Sequence, residues 1–258
     1  MGAPRTHAAG RSAILAAAVL VLLLLAPAGA AASVATRIGG ALERQGMAGS
    51  GTSVAVYDLT TRQYVYTLRP DVLRLPASNE KLVTSATALA GWTASHRFVT
   101  QLFVDAPGAG EDGVVAGNVY LRGLGDPSLS TASFQSGHLG LRTADLRDFA
   151  TRLKAMGVTK VTGRVVADDG YFDSTRVVPN WRPSMTAYCG PLSALTLNEG
   201  FGPGGGYVRD PSLWAASKLT ALLRAAGVRV VHAATRGVAP VTASLVGATP
   251  RVLSLIHI

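Results

Sequence analysis

The chain has 258 residues, 48% of them hydrophobic, with 29 Gly and 13 Pro, a composition that suits one or two packed cores and excludes a disordered chain. Lys and Arg (24) outnumber Asp and Glu (15), and the formal charge of +9 attracts anionic polymers or lipid headgroups. Nucleic acid is set aside as a partner because the arginines are scattered and no zinc-finger spacing or other recognition motif occurs.

Residues 1–32 read as a signal peptide. Arg5, His7 and Arg11 precede an apolar run from Ala13 to Ala26, and the small residues from Pro27 to Ala32 fit a cleavage site near Ala30 or Ala32. The run is short for a bilayer span, and no later run reaches about 18 apolar residues. The expectation is export to the cell envelope or medium, with the mature chain soluble or in peripheral contact with the membrane. Cys189 is the only cysteine, so no intramolecular disulfide can staple the exported domain, and the thiol reads as buried or half-buried.

Val34, Ile38 and Leu42 recur at helical spacing, with Gly46 as a stop. Thr52 to Leu59 places Val54 and Val56 on one side, Thr60-Thr61-Arg62 turns, and Tyr64 to Tyr66 returns, which predicts a hairpin. Pro76 then holds the chain extended ahead of a helix that starts at Ser78, carries Leu82, Ala86, Leu89 and Ala90 at helical spacing, and ends at Gly91. Ser78 and Lys81, three apart, project from one face of its first turn. A serine hydroxyl is a poor nucleophile until a partner takes its proton, and a lysine kept neutral by desolvation and a neighbouring cation can do so. The helix N-terminus adds a field that stabilises developing negative charge.

Further on, Phe98 to Val104 reads as a strand, residues 105–110 as a turn, and Val114-Val115 with Asn118 to Arg122 as a second pair of short strands. Thr143 reads as an N-cap with Asp145 in the first turn, and Leu146, Phe149, Ala150, Leu153 and Met156 form an apolar stripe ending at Gly157. Val158 to Ala167 reads as a strand. The same form recurs where Asp210 caps, Pro211 opens the helix, Leu213, Ala216, Leu219, Leu222 and Leu223 line one face, and Gly227 precedes the strand Val228 to Val231. Gly202 to Gly206 is assigned to a surface loop, because no Lys-Ser/Thr follows as a phosphate loop requires. Asp168, Asp169 and Asp173 lack a calcium-loop pattern, Asp126 caps a turn before Pro127, and Trp181, Tyr188 and Tyr171 are assigned to the core. The five histidines show no metal spacing and no partnership with Ser78, so neither a metal nor an organic cofactor is expected.

Four stretches carry a resemblance. Pro76-Ala77-Ser78-Asn79-Glu80-Lys81-Leu82-Val83-Thr84 resembles the first active-site motif of the low-molecular-mass penicillin-binding proteins. Residues 121–129 (LRGLGDPSL), 163–173 (GRVVADDGYFD) and 190–199 (GPLSALTLNE) follow in the order found in the D-alanyl-D-alanine carboxypeptidase/endopeptidase family, peptidase family S13. The resemblance implies a mixed α/β (α+β) chain: residues 33–96 as the N-terminal part of a penicillin-binding, β-lactamase-like transpeptidase domain, and residues 97–250 as a large inserted mixed α/β domain. It implies a serine-type D-Ala-D-Ala carboxypeptidase acting on peptidoglycan stem peptides, with Ser78 as nucleophile, Lys81 as general base, and β-lactam antibiotics as inhibitors that acylate the same serine.

The resemblance also calls for a Ser-x-Asn motif and a Lys-Thr-Gly motif, and neither is found here. Ser193-Ala194-Leu195 and Lys218-Leu219-Thr220 do not match them. Residues 251–258 read as a non-native or truncated tail, so the expectation is a fragment that is inactive as written. Two other readings stand beside this one: a β-lactamase-like hydrolase, disfavoured by the long insertion, and a non-catalytic envelope protein that binds peptidoglycan through the inserted domain.

Overall fold

The computed structural model describes residues 32–92, 96–105 and 109–249. The signal-peptide reading, apart from Ala32, the middle of the 105–110 turn and the tail at 251–258 lie outside the described residues. The chain divides into two compact units, one ending at Lys81 and the other beginning at Leu82.

The first unit opens with helix α1 (Val34–Arg44), where Ser33 Oγ accepts the Thr36 N–H at 3.1 Å. Gly46 ends it in the left-handed conformation, φ +66°. The expected hairpin follows as β1 (Val54–Asp58) and β2 (Gln63–Leu68), antiparallel from Val54 opposite Leu68 to Asp58 opposite Gln63, with a bulge at Val56/Tyr57. Its turn is closed by Asp58 Oδ1, which accepts the N–H groups of Thr60 (2.8 Å) and Thr61 (3.3 Å). Helix α2 (Glu80–Gly91) starts in this unit and continues into the next.

The second unit is built on a mixed five-stranded sheet in the order β10-β3-β5-β7-β9, with β3 as Thr100–Val104, β5 as Val119–Gly123, β7 as Val165–Asp168, β9 as Thr235–Arg236 and β10 as Ser244–Ala248. β3 pairs antiparallel with β10 and β5, whereas β5, β7 and β9 run parallel. A smaller parallel sheet orders β4 (Val114–Val115), β6 (Lys160–Val161) and β8 (Arg229–Val230). Three times the chain runs a short strand of the small sheet directly into a strand of the large one: β4 into β5, β6 into β7, β8 into β9. The two helix-glycine-strand units foreseen in the sequence are two of these three. Helices α3 (Arg147–Ala155) and α4 (Pro211–Ala225) lie against each other, and α4 packs on β7, β8 and β9. Leu102, Leu121, Leu146, Phe149, Leu153, Leu195, Leu219 and Leu223 form the core, each 3% exposed or less. β7 is buried along its whole length, as parallel strands covered on both faces are.

Several sequence expectations need correction. Val158 to Ala167 is two strands, because the chain passes from one sheet to the other at Gly163, where a Cβ would lie 2.5 Å from the Gly117 carbonyl oxygen. Val114-Val115 and the strand after it do not pair; they belong to different sheets. Helix α3 starts four residues after Thr143. That hydroxyl hydrogen-bonds Ser130 Oγ, and Asp145 Oδ1 accepts the Arg147 N–H instead. Met156 lies outside the apolar stripe, 52% exposed. Tyr171 and Tyr188 are exposed and Trp181 is half-buried, so these aromatics are not core. Helix α4 forms as read: Asp210 Oδ1 accepts the Leu213 N–H at 3.0 Å, Pro211 takes the first position, and Gly227 stands at φ +80°. Among the described residues, no helix is long and apolar enough to cross a membrane.

Candidate active site

The chain reaches Ser78 through a segment held by two arginines. After β2, Arg69 donates from Nη1 to Gly49 O (2.8 Å) and Thr52 O (3.2 Å) and from Nη2 to Ala48 O (3.0 Å). Arg74 donates from Nε to Ser53 Oγ (2.7 Å) and from Nη2 to Ser50 O (2.7 Å) and Thr52 O (3.3 Å). Both guanidinium groups thus fasten the approach to the loop that enters β1, using the fork geometry that suits Arg to several acceptors at once. Arg69 is itself left-handed, φ +48°.

Ser78 does not open α2, as the sequence reading had it, because the helix begins at Glu80. It sits inside a 3₁₀ turn, Ala77–Asn79, that precedes the helix, and the Asn79 N–H donates to Pro76 O at 2.9 Å. With about three residues per turn, such a turn brings positions i and i+3 into line. Lys81, in the first turn of α2, therefore follows Ser78 by one turn. Ala77, directly before the serine, is held at φ +46°, a conformation that non-glycine residues adopt at a cost of about 1–3 kcal/mol and that concentrates at functional sites. The 3₁₀ turn runs directly into α2, and the backbone N–H groups at the junction donate to Ala77 O and Ser78 O, so turn and helix form one continuous run.

Ser78 and Lys81 are both exposed, and no hydrogen bond links their side chains among the described residues. Leu82 and Leu89, each 72% exposed, and Val83, 64% exposed, leave the apolar positions of α2 open to solvent. The desolvation that a general-base lysine requires is not supplied by the described residues around Lys81.

The other three motif stretches converge in the second unit. Gly125 N–H donates to Ala194 O at 2.9 Å, the Asn198 N–H donates to Leu129 O at 2.9 Å, and Thr131 N–H donates to Asn198 Oδ1 at 2.8 Å. Asp169 accepts from Ser193 Oγ (3.2 Å) and pairs with Arg176 and, at 3.6 Å, with Arg236. Asp168 accepts the Ala239 N–H at 2.9 Å and lies 3.6 Å from Arg122 Nε. Asp173 only closes a local turn on the Thr175 N–H. The aspartates are therefore occupied by arginines and backbone donors, and no group of three or more His, Cys, Asp or Glu among the described residues is placed to hold a metal. Asp126 does cap its turn, accepting from Ser128 N–H at 2.9 Å. It also receives the hydroxyls of Ser128, Thr100 and Thr249, a buried node that local sequence did not signal.

A relative from Actinomadura sp. (strain R39), a D-alanyl-D-alanine carboxypeptidase, is 37% identical over 161 residues, which cover 62% of this chain and 27% of that protein. The chain thus spans about a quarter of that relative's length. Two crystal structures of penicillin-binding protein 4 (dacB) from Haemophilus influenzae share the fold. One superposes with a TM-score of 0.58 at 16% identity, covering 78% of this chain and 56% of that one. The other, complexed with a β-lactam, gives 0.52 at 15% identity, covering 80% and 57%. Residues 34–203, more than half of the chain and inclusive of all four motif stretches, match the D-Ala-D-Ala carboxypeptidase 3 (S13) family, and the chain belongs to that family.

Proposed function

We propose that the protein is a serine-type D-Ala-D-Ala carboxypeptidase/endopeptidase that works on peptidoglycan stem peptides outside the cytoplasmic membrane, with residues 33–96 contributing the nucleophile and residues 97–250 forming an inserted domain. The observation that carries the reading is the strained Ala77-Ser78 turn at the head of α2 with Lys81 one turn on. A boundary near His96 to Arg97 is supported by the end of α2 at Gly91 and the start of the large sheet at Thr100.

In this mechanism Ser78 Oγ attacks the carbonyl carbon of the penultimate D-Ala while Lys81 Nζ takes the hydroxyl proton. The tetrahedral intermediate collapses, the peptide bond breaks, and the proton passes to the departing amine, so terminal D-Ala leaves and an ester to Ser78 remains. Water then attacks that ester, the shortened stem peptide leaves, and the serine regains its proton. Penicillins acylate the same oxygen by opening of the β-lactam ring. The step requires Lys81 to be desolvated; by the resemblance, a Ser-x-Asn motif helps to shuttle the proton and orient the substrate, and a Lys-Thr-Gly motif binds the substrate carboxylate and lines the oxyanion hole.

The test is labelling of the full-length protein by fluorescent penicillin. Wild type should be labelled, and Ser78→Ala and Lys81→Ala should lose labelling while keeping the wild-type circular dichroism spectrum. Retained labelling in either variant removes its assigned role. Release of D-Ala from a bis-D-Ala peptide separates the carboxypeptidase from a β-lactamase-like hydrolase, and absence of labelling in the wild type favours a peptidoglycan-binding protein without catalysis.

A further inference from the structure

Ser78 and the segment that delivers it, residues 69–77, lie in the same compact unit. Two left-handed residues that are not glycine bracket this segment, Arg69 at φ +48° and Ala77 at φ +46°. Such conformations persist only where the surroundings over-determine them. Burial does not do so here, because Leu73 and Leu75 are almost fully exposed and Val72 is 48% exposed. Backbone bonds among the described residues add little: the Val72 N–H donates to Arg69 O at 3.4 Å, and the Asn79 N–H to Pro76 O closes only the last turn.

The restraint comes from two side chains. All the hydrogen bonds that the Arg69 and Arg74 guanidinium groups donate end on residues 48–53, and both groups reach Thr52 O, at 3.2 and 3.3 Å. One carbonyl therefore takes a donor from each of the two anchors, which fixes them relative to each other as well as to the loop. That loop runs directly into β1 at Val54, so the anchor is the hairpin. Between Arg74 and Ser78 there is little slack, since the Pro76 ring holds φ at −69° and Ala77 is left-handed. The acceptors are carbonyls and one hydroxyl, all neutral, so the clamp does not titrate with an acidic partner.

We infer that Arg69 and Arg74 are positioning residues for acylation: by holding residues 69–77 against the loop at 48–53, they set where Ser78 Oγ stands relative to Lys81 and to an incoming carbonyl carbon. The inference rests on the function proposed above. Ser78 and Lys81 are both exposed, so among the described residues packing does not align them and the backbone beneath them must. A displacement of about 1 Å at a reacting atom costs on the order of a hundredfold in rate. Arginine suits the task because one planar fork reaches several acceptors in a single orientation, which the lysine ammonium does not.

The test is the acylation rate of the full-length protein by fluorescent penicillin, followed over a range of penicillin concentrations at a temperature where circular dichroism shows each variant folded. The maximal rate and the half-saturating concentration are then obtained separately. Arg74→Lys and Arg69→Lys keep the charge and lose the fork, and each should lower the maximal rate about tenfold while the half-saturating concentration stays within about twofold. Arg74→Gln, which also removes the charge, should match Arg74→Lys in rate and keep the wild-type pH midpoint. Ser53→Ala removes only the acceptor of Arg74 Nε, serves where an arginine variant does not fold, and should lower the maximal rate about threefold. A wild-type maximal rate in Arg74→Lys, or in Ser53→Ala where the arginine variants do not fold, overturns the inference. So does a pH midpoint that shifts in Arg74→Gln alone, since the charge and not the geometry would then be acting on Lys81. In each of these cases the wild type is still labelled and the proposed function stands. A wild type that is not labelled removes that function and this inference with it.

Discussion

Arg74 Nε donates to Ser53 Oγ at 2.7 Å, and this bond joins the residue four before the nucleophile to the loop that feeds the hairpin. The neighbouring apolar side chains do not share the task, since Leu73 is 98% exposed and Leu75 93% exposed. Polar contacts, not burial, fix this segment. Arg74→Ala removes three hydrogen bonds from one charged donor group and should destabilise the segment by about 1–3 kcal/mol. Hydrogen exchange should quicken at residues 48–58 and stay unchanged in β3, β5 and β7. Uniform protection across both regions would show that the arginine contributes nothing there.

Ala77 offers a second handle on the same turn. A left-handed alanine is costly where glycine is not, but glycine loosens the unfolded chain. The two effects oppose each other, and Ala77→Gly should therefore leave stability unchanged or raise it by up to about 1 kcal/mol. If the strained backbone serves to present Ser78, penicillin labelling by the variant should slow while its denaturation midpoint holds. A clear loss of stability would mean that the left-handed conformation is not what the turn adopts in solution.

How much of this was legible in sequence depended on whether the deciding contact was local. Helix α4 was readable because Asp210, Pro211 and Gly227 each act within a few residues of themselves. The hairpin was readable for the same reason. Gly163 was not, because what breaks the apolar run is the backbone of Gly117, distant in the chain and visible only once the strands are placed. Thr143 looked like a cap, yet its hydroxyl is taken by Ser130. At the candidate site the pair Ser78 and Lys81 could be read from spacing and resemblance, while the left-handed Ala77 could not, since nothing local favours alanine in that conformation.

The Asp58 carboxylate gives the hairpin a pH dependence. Its pKa is held below the ordinary aspartate value, first by the Thr60 backbone N–H and then by the Thr61 hydroxyl and backbone N–H, all of which favour the charged form. The unfolded chain titrates near about 3.9. As pH falls below that value the unfolded state takes up the proton before the folded one does, so this stabilisation is present at neutral pH and is lost as pH drops through the folded-state pKa. In a carbon-detected NMR titration the Asp58 carboxyl should show a midpoint below that of an aspartate in a random coil. A midpoint at the ordinary value would mean the turn is not closed by this side chain.

Gly123 ends β5 where two of the motif stretches meet backbone to backbone. A Cβ added there would lie 2.1 Å from the carbonyl oxygen of Ala194 and 2.4 Å from Leu195 Cα. Neither can retreat. Ala194 and Leu195 are buried, the Ala194 carbonyl already accepts the Gly125 N–H at 2.9 Å, and Gly123 is itself paired opposite Thr100 in the sheet. The missing side chain is thus what lets residues 121–129 and 190–199 lie together. Gly123→Ala should destabilise the second unit by about 1–3 kcal/mol or more, because overpacking against fixed backbone has no cheap relaxation. Gly204→Ala, at a position with nothing within 4 Å, should change stability by less than about 0.5 kcal/mol. Urea unfolding of the two variants should show the midpoint falling only for Gly123→Ala, with the slope unchanged. Equal midpoints would place the two motif stretches farther apart than this structure has them.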